Sequence, residues 1–266
     1  MTDLPSPFSM KTTTAQIAAL LEPFIETPLS PSQLDQISTY IDLLLRWNAR
    51  INLTAIRNEE EIVTRHFGES FFMARHLFPD SLPMTSNPCH PERSRDMRKA
   101  HVSAESKDPY ISTKAALAKE VLPATSNPPQ VLDIGSGAGF PALPLKIWAP
   151  HIHLTLIESN HKKATFLREV ARALTLTNVN VIAERAEVRA ARPDLPQADV
   201  VTLRAVERFE AVLPLAATFL APGARLALLI GAAQLRHLAT VATLKWQPPI
   251  PIPQSHTRVL SIGVHQ

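Results

Sequence analysis

The chain has 266 residues, 45% of them hydrophobic, and a net charge of only +3, enough to bury one large core or two smaller ones. No apolar run reaches the roughly eighteen residues a membrane helix needs, because Val212 to Ile230 is broken by Pro214, Pro222, Gly223 and Arg225. The single cysteine, Cys89, excludes an internal disulfide framework and a cysteine zinc cluster, and no signal-peptide pattern opens the chain, so a cytoplasmic location is expected.

Residues 1–29 are rich in Thr and Pro and read as a flexible extension, with an apolar patch from Ile17 to Ile25 suited to one helix. A helical unit is expected over 30–82. Ser30 caps its first helix, Pro31 takes the first helical position and Gln33 completes a capping box. Leu34, Ile37, Ile41, Leu44 and Leu45 then form one apolar face, which Trp47 and Ile51 extend toward Asn52-Leu53-Thr54. A further helix is expected from Glu59 to Leu77, carrying Ile62, Val63, Phe67, Phe71 and Phe72.

Residues 83–129 show no sustained apolar period and contain Thr-Ser-Asn-Pro twice, at 85–88 and 125–128. Such a segment has too little apolar surface to offset its ordering entropy, so a disordered insertion is expected. Its basic residues Arg93, Arg95, Arg98 and Lys99 read as solvated linker charge, with contact to RNA as the alternative.

From Gln130 onward strands and helices alternate. Strands are expected at 130–134, 152–157, 179–183, 198–203 and 224–230, and helices at 140–149, 160–175 and 208–220, the last ended by Pro222-Gly223. This pattern implies an α/β domain over 130–266, with a parallel sheet wound on both faces. The segment Pro248 to Pro253 cannot pair as a central strand, and Arg258 to Val264 should close the sheet.

Ligands of such a sheet lie beyond the carboxyl ends of its strands. The first strand runs through Asp133-Ile134 into Gly135-Ser136-Gly137-Ala138-Gly139-Phe140, and Glu158 follows the next strand. Glycine turns of this kind admit a nucleotide. A carboxylate at Asp133 would repel a pyrophosphate, whereas the cationic amino group of S-adenosylmethionine would welcome it. Phe140 also stands where a dinucleotide site wants its third glycine. The loop therefore reads as an S-adenosylmethionine site; a nicotinamide site and a strand-turn-helix without ligand are the alternatives. Gly135, Ser136, Gly137 and Gly139 would let the backbone approach the methionine part, and Glu158 would accept from a ribose diol. Arg185, Ala186 and Glu187 follow the third strand at an adenine-edge position, and Arg204 follows the fourth.

The fourth strand ends Thr202-Leu203-Arg204-Ala205-Val206. It offers neither the Asn/Asp-Pro-Pro-aromatic motif that serves exocyclic amines nor a cysteine nucleophile for a pyrimidine carbon. Asn127-Pro128-Pro129-Gln130 lacks the aromatic, precedes the glycine loop and reads as linker. His151 and His153 have no third ligand at suitable spacing, so no metal is expected. Guanine N7 would fit this silence, because its lone pair is free at neutral pH. Holding N7 in line with the sulfonium methyl can contribute about 7–11 kcal/mol. The arginines would then hold phosphates or stack on a splayed base.

Those residues resemble the small-subunit ribosomal RNA (guanine-N7)-methyltransferases, the RsmG/GidB family, over about Leu34 to Leu82 and from Val131 onward. Trp47-Asn48-x-x-Ile51-Asn52-Leu53-Thr54 is similar to that family's W-N-x-x-x-N-L-T. Arg65-His66 with Glu69-Ser70 resembles R-H-x-x-D-S, with Glu in place of Asp. Asp133 to Pro141 matches D-[VI]-G-[ST]-G-x-G-[FL]-P, and Arg185-Ala186-Glu187 and Arg204-Ala205 also fall into place. The resemblance implies a Rossmann-like class I S-adenosylmethionine-dependent methyltransferase fold with an N-terminal helical extension. It implies cofactor contacts at Gly135, Phe140, Ala186, Glu187 and Arg204, and a guanine substrate in the decoding region of 16S ribosomal RNA, free or in an assembling small subunit. It further implies that Asn52, Arg65 and His66 border the active site as positioning residues with Arg204, while Arg50, Arg65, Arg185 and Arg204 are candidates for RNA contact. Besides Glu69, two further positions depart from the pattern: Ile230 stands where the family has lysine, and Ala142 where it has glycine. The lysine's loss keeps open a ribosome-assembly factor without turnover. A methyltransferase of another RNA or of a small molecule is the other alternative.

Overall fold

Strand β1 (Gln130–Ile134) and its neighbours are the near-continuous apolar runs that burial on both faces requires. A computed structural model describes residues 12–81, 127–192, 197–204 and 208–266. The insertion expected over 83–129 lies, apart from its last three residues, outside the described residues, as does Ala205. The described residues before and after the insertion cluster together into one compact unit.

Among the described residues the sheet has eight strands. β1, β2 (His153–Ile157), β3 (Val179–Ile182), β4 (Ala198–Arg204) and β5 (Leu220–Gly231) pair in parallel in the order β3-β2-β1-β4-β5. β8 (Arg258–His265) adds antiparallel to β5, and the short β6 (Leu244–Trp246) and β7 (Ile250–Pro251) pair antiparallel with β8. Strand order reverses between β1 and β4, which opens a crevice beyond their carboxyl ends. This is the Rossmann-like α/β architecture expected.

The expected strands lie within a few residues of those observed. β5 is the exception, starting at Leu220. Pro222-Gly223 sits not at a helix end but in a bulge, where the β4 pairing jumps from Ala198↔Leu220 to Val200↔Arg225 and Gly223 takes φ +78°. The preceding helix has already ended at Ala217. β6 and β7 were not legible, being two or three residues long, and Pro251 confines β7 to pairing on one side.

Helices α5 (Ala142–Trp148), α6 (His161–Ala173), α7 (Ala186–Ala190) and α8 (Phe209–Ala217) connect the parallel strands. Leu226, Leu228 and Ile230 of β5 cluster with Phe209 and Leu213 of α8 and with Leu238 of the 3₁₀ helix Ala232–Thr240. Ile230 is thus core, 3% exposed.

In the N-terminal segment, α1 (Thr14–Leu21) and α2 (Pro31–Asn48) both open on capping boxes, the second being the expected Ser30/Gln33 pair. The face of α2 buries Ile37, Ile41 and Leu44 as expected, and also Tyr40 and Leu43, each such side chain contributing roughly 1.5–3 kcal/mol. Gln33 Nε2 donates to Ile147 O and Gln36 Nε2 to Leu174 O, both at 3.0 Å, so α2 lies against α5 and the end of α6. The expected helix from Glu59 to Leu77 is a single run in three parts: α3 (Glu59–Glu61), a π-helical stretch Ile62–Gly68, and α4 (Glu69–Leu77). Its end is tied to the sheet unit by Trp148 Nε1 donating to Phe78 O at 3.0 Å and Arg225 Nη2 to Leu77 O at 2.9 Å. Among the described residues, no helix is long and apolar enough to cross a membrane.

Candidate active site at the carboxyl ends of the parallel strands

The glycine loop turns sharply after β1, with Gly135, Gly137 and Gly139 at φ +69°, +55° and +87°. Only glycine takes these angles readily. Gly139 has a second reason, since a Cβ there would run into the Tyr40 hydroxyl and lie 2.6 Å from Leu143 Cδ1. Glu158 holds the loop from the next strand end. Its Oε2 accepts from Gly137 N at 2.8 Å and its Oε1 from Asn160 N at 2.7 Å. Each oxygen keeps a further lone pair for another donor.

Asp133 lies beneath the loop, 1% exposed. Thr202 Oγ1 donates to its Oδ1 at 2.5 Å, while its Oδ2 is buried with no hydrogen-bond partner. Burial pushes its pKa from 3.8 up to about 6, against the hydrogen bond from Thr202; the nearby Glu158 adds to the rise and Arg204 opposes it, while Ser136 Oγ donates to the Asp133 main-chain carbonyl.

On the other side of the cleft three rings stack. Tyr40 lies on Phe140 with centroids 5.1 Å apart, and Phe140 lies on His66 at 4.5 Å. Tyr40 also donates its hydroxyl to Ala138 O. His66 Nε2 is 2.9 Å from Thr54 Oγ1. Burial, with Arg204, Arg65 and Arg258 around it, drives the His66 pKa down to about 2, so the ring stays neutral and will not serve as a base near neutral pH.

Arg204, at the end of β4, reaches back to the π-helical stretch. Its Nη2 donates to Arg65 O at 2.6 Å and lies 3.2 Å from Glu69 Oε2. Glu69, its side chain only 3% exposed, is shared with Arg258 at 2.5 Å. Burial raises the Glu69 pKa, opposed by these arginines, and lowers that of Arg204 to about 10, which leaves the guanidinium charged.

The cleft encloses about 580 Å³. Of the residues singled out in the sequence, it is lined by Gly135, Ser136, Gly137, Phe140, Glu158, Arg185, Ala186, Glu187, Arg204 and His66. Asp133 and Gly139 support it from behind. Arg65 contributes its carbonyl, while its side chain, about half exposed, pairs with Glu61 at 2.6 Å. Asn52 and Arg50 are exposed and outside the lining. The loop Leu53–Thr54 is instead held by Asn48, whose Oδ1 accepts from Leu53 N and Thr54 N and whose Nδ2 donates to Thr54 O. Sequence reasoning did not place Tyr40, Asn48, Thr54, Glu69 or Arg258 in the site. Glu69, Asn48 and Thr54 stood within the quoted motifs, and that was their signal. Among the described residues no three His, Cys, Asp or Glu side chains are grouped to hold a metal ion.

A family model described as rRNA small subunit methyltransferase G matches residues 33–81 and 114–246. The chain belongs to this family. It is 32% identical over 192 residues to the ribosomal RNA small subunit methyltransferase G of Bacillus subtilis, covering 70% of this chain and 61% of that protein. The protein of the same name from Chloroflexus aggregans is 36% identical over 200 residues, covering 75% and 64%, and that from Roseiflexus castenholzii 37% over 179 residues, covering 67% and 56%. The chain therefore spans somewhat less than two thirds of the length of these relatives. Both motif regions, the one carrying His66 and Glu69 and the glycine loop, fall inside the stretch matched to the methyltransferase G family, as does Ile230.

Proposed function

We propose that the chain transfers a methyl group from S-adenosylmethionine to N7 of a guanine in 16S ribosomal RNA. The observation that carries this reading is the pair of buried carboxylates, Asp133 and Glu158, on a glycine loop at the switch point of the sheet. A pyrophosphate would meet two negative charges there. A ligand with an ammonium group and a ribose diol would find partners, and the unpartnered Asp133 Oδ2 is the kind of orphaned acceptor such a ligand would satisfy. The residues present therefore fit the cofactor. Gly135, Ser136 and Gly137 would hold its methionine part, Glu158 its ribose, and Ala186 with Glu187 its adenine.

When bound, S-adenosylmethionine supplies a sulfonium-activated methyl group, which N7 accepts on its lone pair while the old bond's electrons stay on sulfur and no proton moves. The chain need provide no base, in keeping with a His66 held neutral in the cleft. Arg204, Thr54 and His66 line the β4 half of the cleft and would orient the acceptor, while Arg185 and the exposed side chains of Arg50 and Arg65 would meet RNA phosphates. Catalysis would rest chiefly on alignment.

The test is transfer of labelled methyl from S-adenosylmethionine to 16S RNA or to small-subunit particles lacking the mark. Incorporation into RNA is expected. Tight cofactor binding without incorporation would instead make the chain an assembly factor, and label in small molecules alone would remove RNA as substrate.

A further inference from the structure

The half of the cleft on the β4 side is built around one buried carboxylate that the proposed chemistry has not used. Glu69 begins α4, and its Oε2 is claimed by Arg204 from the end of β4 and by Arg258 from the start of β8. Three segments far apart in the chain thus meet on one oxygen. The backbone is shaped for the same contact. At the end of the π-helical stretch, Glu69 N donates to Thr64 O and His66 O and passes over Arg65 O. Arg65 O is the carbonyl that accepts from Arg204 Nη2. A π-helical turn in a helix often marks such local re-aiming. Arg204 therefore sits between one accepting carbonyl, Arg65 O, and one carboxylate in ion-pair range, Glu69, while its buried Nη1 has no hydrogen-bond partner.

We infer that Glu69 is a positioning residue for methyl transfer, acting through Arg204 rather than on the cofactor. The inference rests on the proposed function. Held by Arg65 O and Glu69, the guanidinium keeps one orientation at the end of β4 and presents fixed donors to an acceptor rich in oxygen, such as a base carbonyl or a phosphate. Arg258 shares the carboxylate and leaves the three side chains with one excess positive charge facing an anionic substrate. The ion-pair partners of Glu69 are Arg204 and Arg258, not Glu158 or Glu187 of the cofactor half of the cleft.

The chain and its Glu69→Gln, Glu69→Asp and Arg204→Lys variants, with the Glu69→Gln/Arg204→Lys double variant, would be compared in four measurements. These are the kcat and KM for methyl transfer to 16S RNA, the Kd for S-adenosylhomocysteine, the Tm, and the Arg204 Nε–Hε resonance. Glu69→Gln should lower kcat by about tenfold to a hundredfold, with the Kd for S-adenosylhomocysteine near that of the wild type and the Arg204 resonance shifted or broadened. Glu69→Asp should recover part of the loss, and it decides the matter alone if the Gln variant does not fold. The double variant should be little worse than Arg204→Lys, because both changes act on one guanidinium. Wild-type kcat in both Glu69 variants, additive losses, or a cofactor affinity that falls in step with Tm would each overturn the inference while leaving the methyltransferase reading intact. A wild-type chain that methylates no RNA would overturn that reading, and this inference with it.

Discussion

The hydroxyl of Tyr40, on α2, donates to the carbonyl of Ala138 in the glycine loop at 2.5 Å, although 98 positions separate the two. Both are buried. The N-terminal helices thus fix the conformation of the loop on which the proposed cofactor would rest. Tyr40→Phe keeps the stack on Phe140 and leaves Ala138 O without this donor, which should destabilise the fold by about 1–3 kcal/mol. Urea unfolding measures the loss, and titration with S-adenosylhomocysteine should show a weaker Kd. Unchanged values in both would mean that the contact does not support the loop.

Gly139→Ala should be more harmful, since the new Cβ meets both the Tyr40 hydroxyl and Leu143 at a φ of +87°. Backbone strain of this kind amounts to about 1–3 kcal/mol before any steric clash is added. In a Tyr40→Phe background part of the loss should be recovered, because one of the two clashing groups is gone. Strict additivity of the two changes in urea unfolding would count against this packing.

Asp133 and His66 give the fold opposite pH dependences. The Asp133 pKa is raised from 3.8 to about 6, so its contribution to stability is present below pH 3.8 and lost as pH rises to about 6. That of His66 is lowered from 6.5 to about 2, so its contribution is present above pH 6.5 and lost as pH falls toward 2. The two oppose each other across the same window, and only a difference measurement separates them. Between about pH 4 and pH 7, Asp133→Asn should gain roughly 2–3 kcal/mol relative to the wild type. A gap between variant and wild type that does not change with pH would contradict the raised pKa.

Cofactor affinity should follow the same carboxylate. A ligand ammonium prefers the ionised form of Asp133, so the affinity for S-adenosylhomocysteine should rise by up to about tenfold per pH unit until it levels off above the Asp133 pKa. Calorimetric titration at several pH values checks the slope. Asp133→Asn should bind more weakly and flatten it; a wild-type slope in the variant would place the ammonium elsewhere.

The parallel strands and α2 were legible in the sequence because burial on both faces leaves unbroken apolar runs and because Ser30, Pro31 and Gln33 mark a helix start. The glycine loop and Glu158 were legible because their chemistry is local. What escaped depends on distant partners. Nothing near Glu69 announces that Arg204 and Arg258 will converge on it, and a π-helical stretch carries the same apolar residues as an α-helix would. Tyr40 lay on the apolar face of α2, but its partner came from the far side of the insertion. Asn52 stood out in its motif, yet Asn48 makes the loop's hydrogen bonds while Asn52 faces outward. Ile230, where the family pattern has lysine, packs in the apolar cluster with Phe209, Leu213 and Leu238.

Guanine N7 is the proposed acceptor of the methyl group. The most direct test digests 16S RNA to nucleosides after reaction with methyl-labelled S-adenosylmethionine and identifies the labelled nucleoside by chromatography and mass. Label in 7-methylguanosine, lost with Asp133→Ala and with Arg204→Ala, is the expected result. Label in any other nucleoside, or none in the RNA, would contradict it.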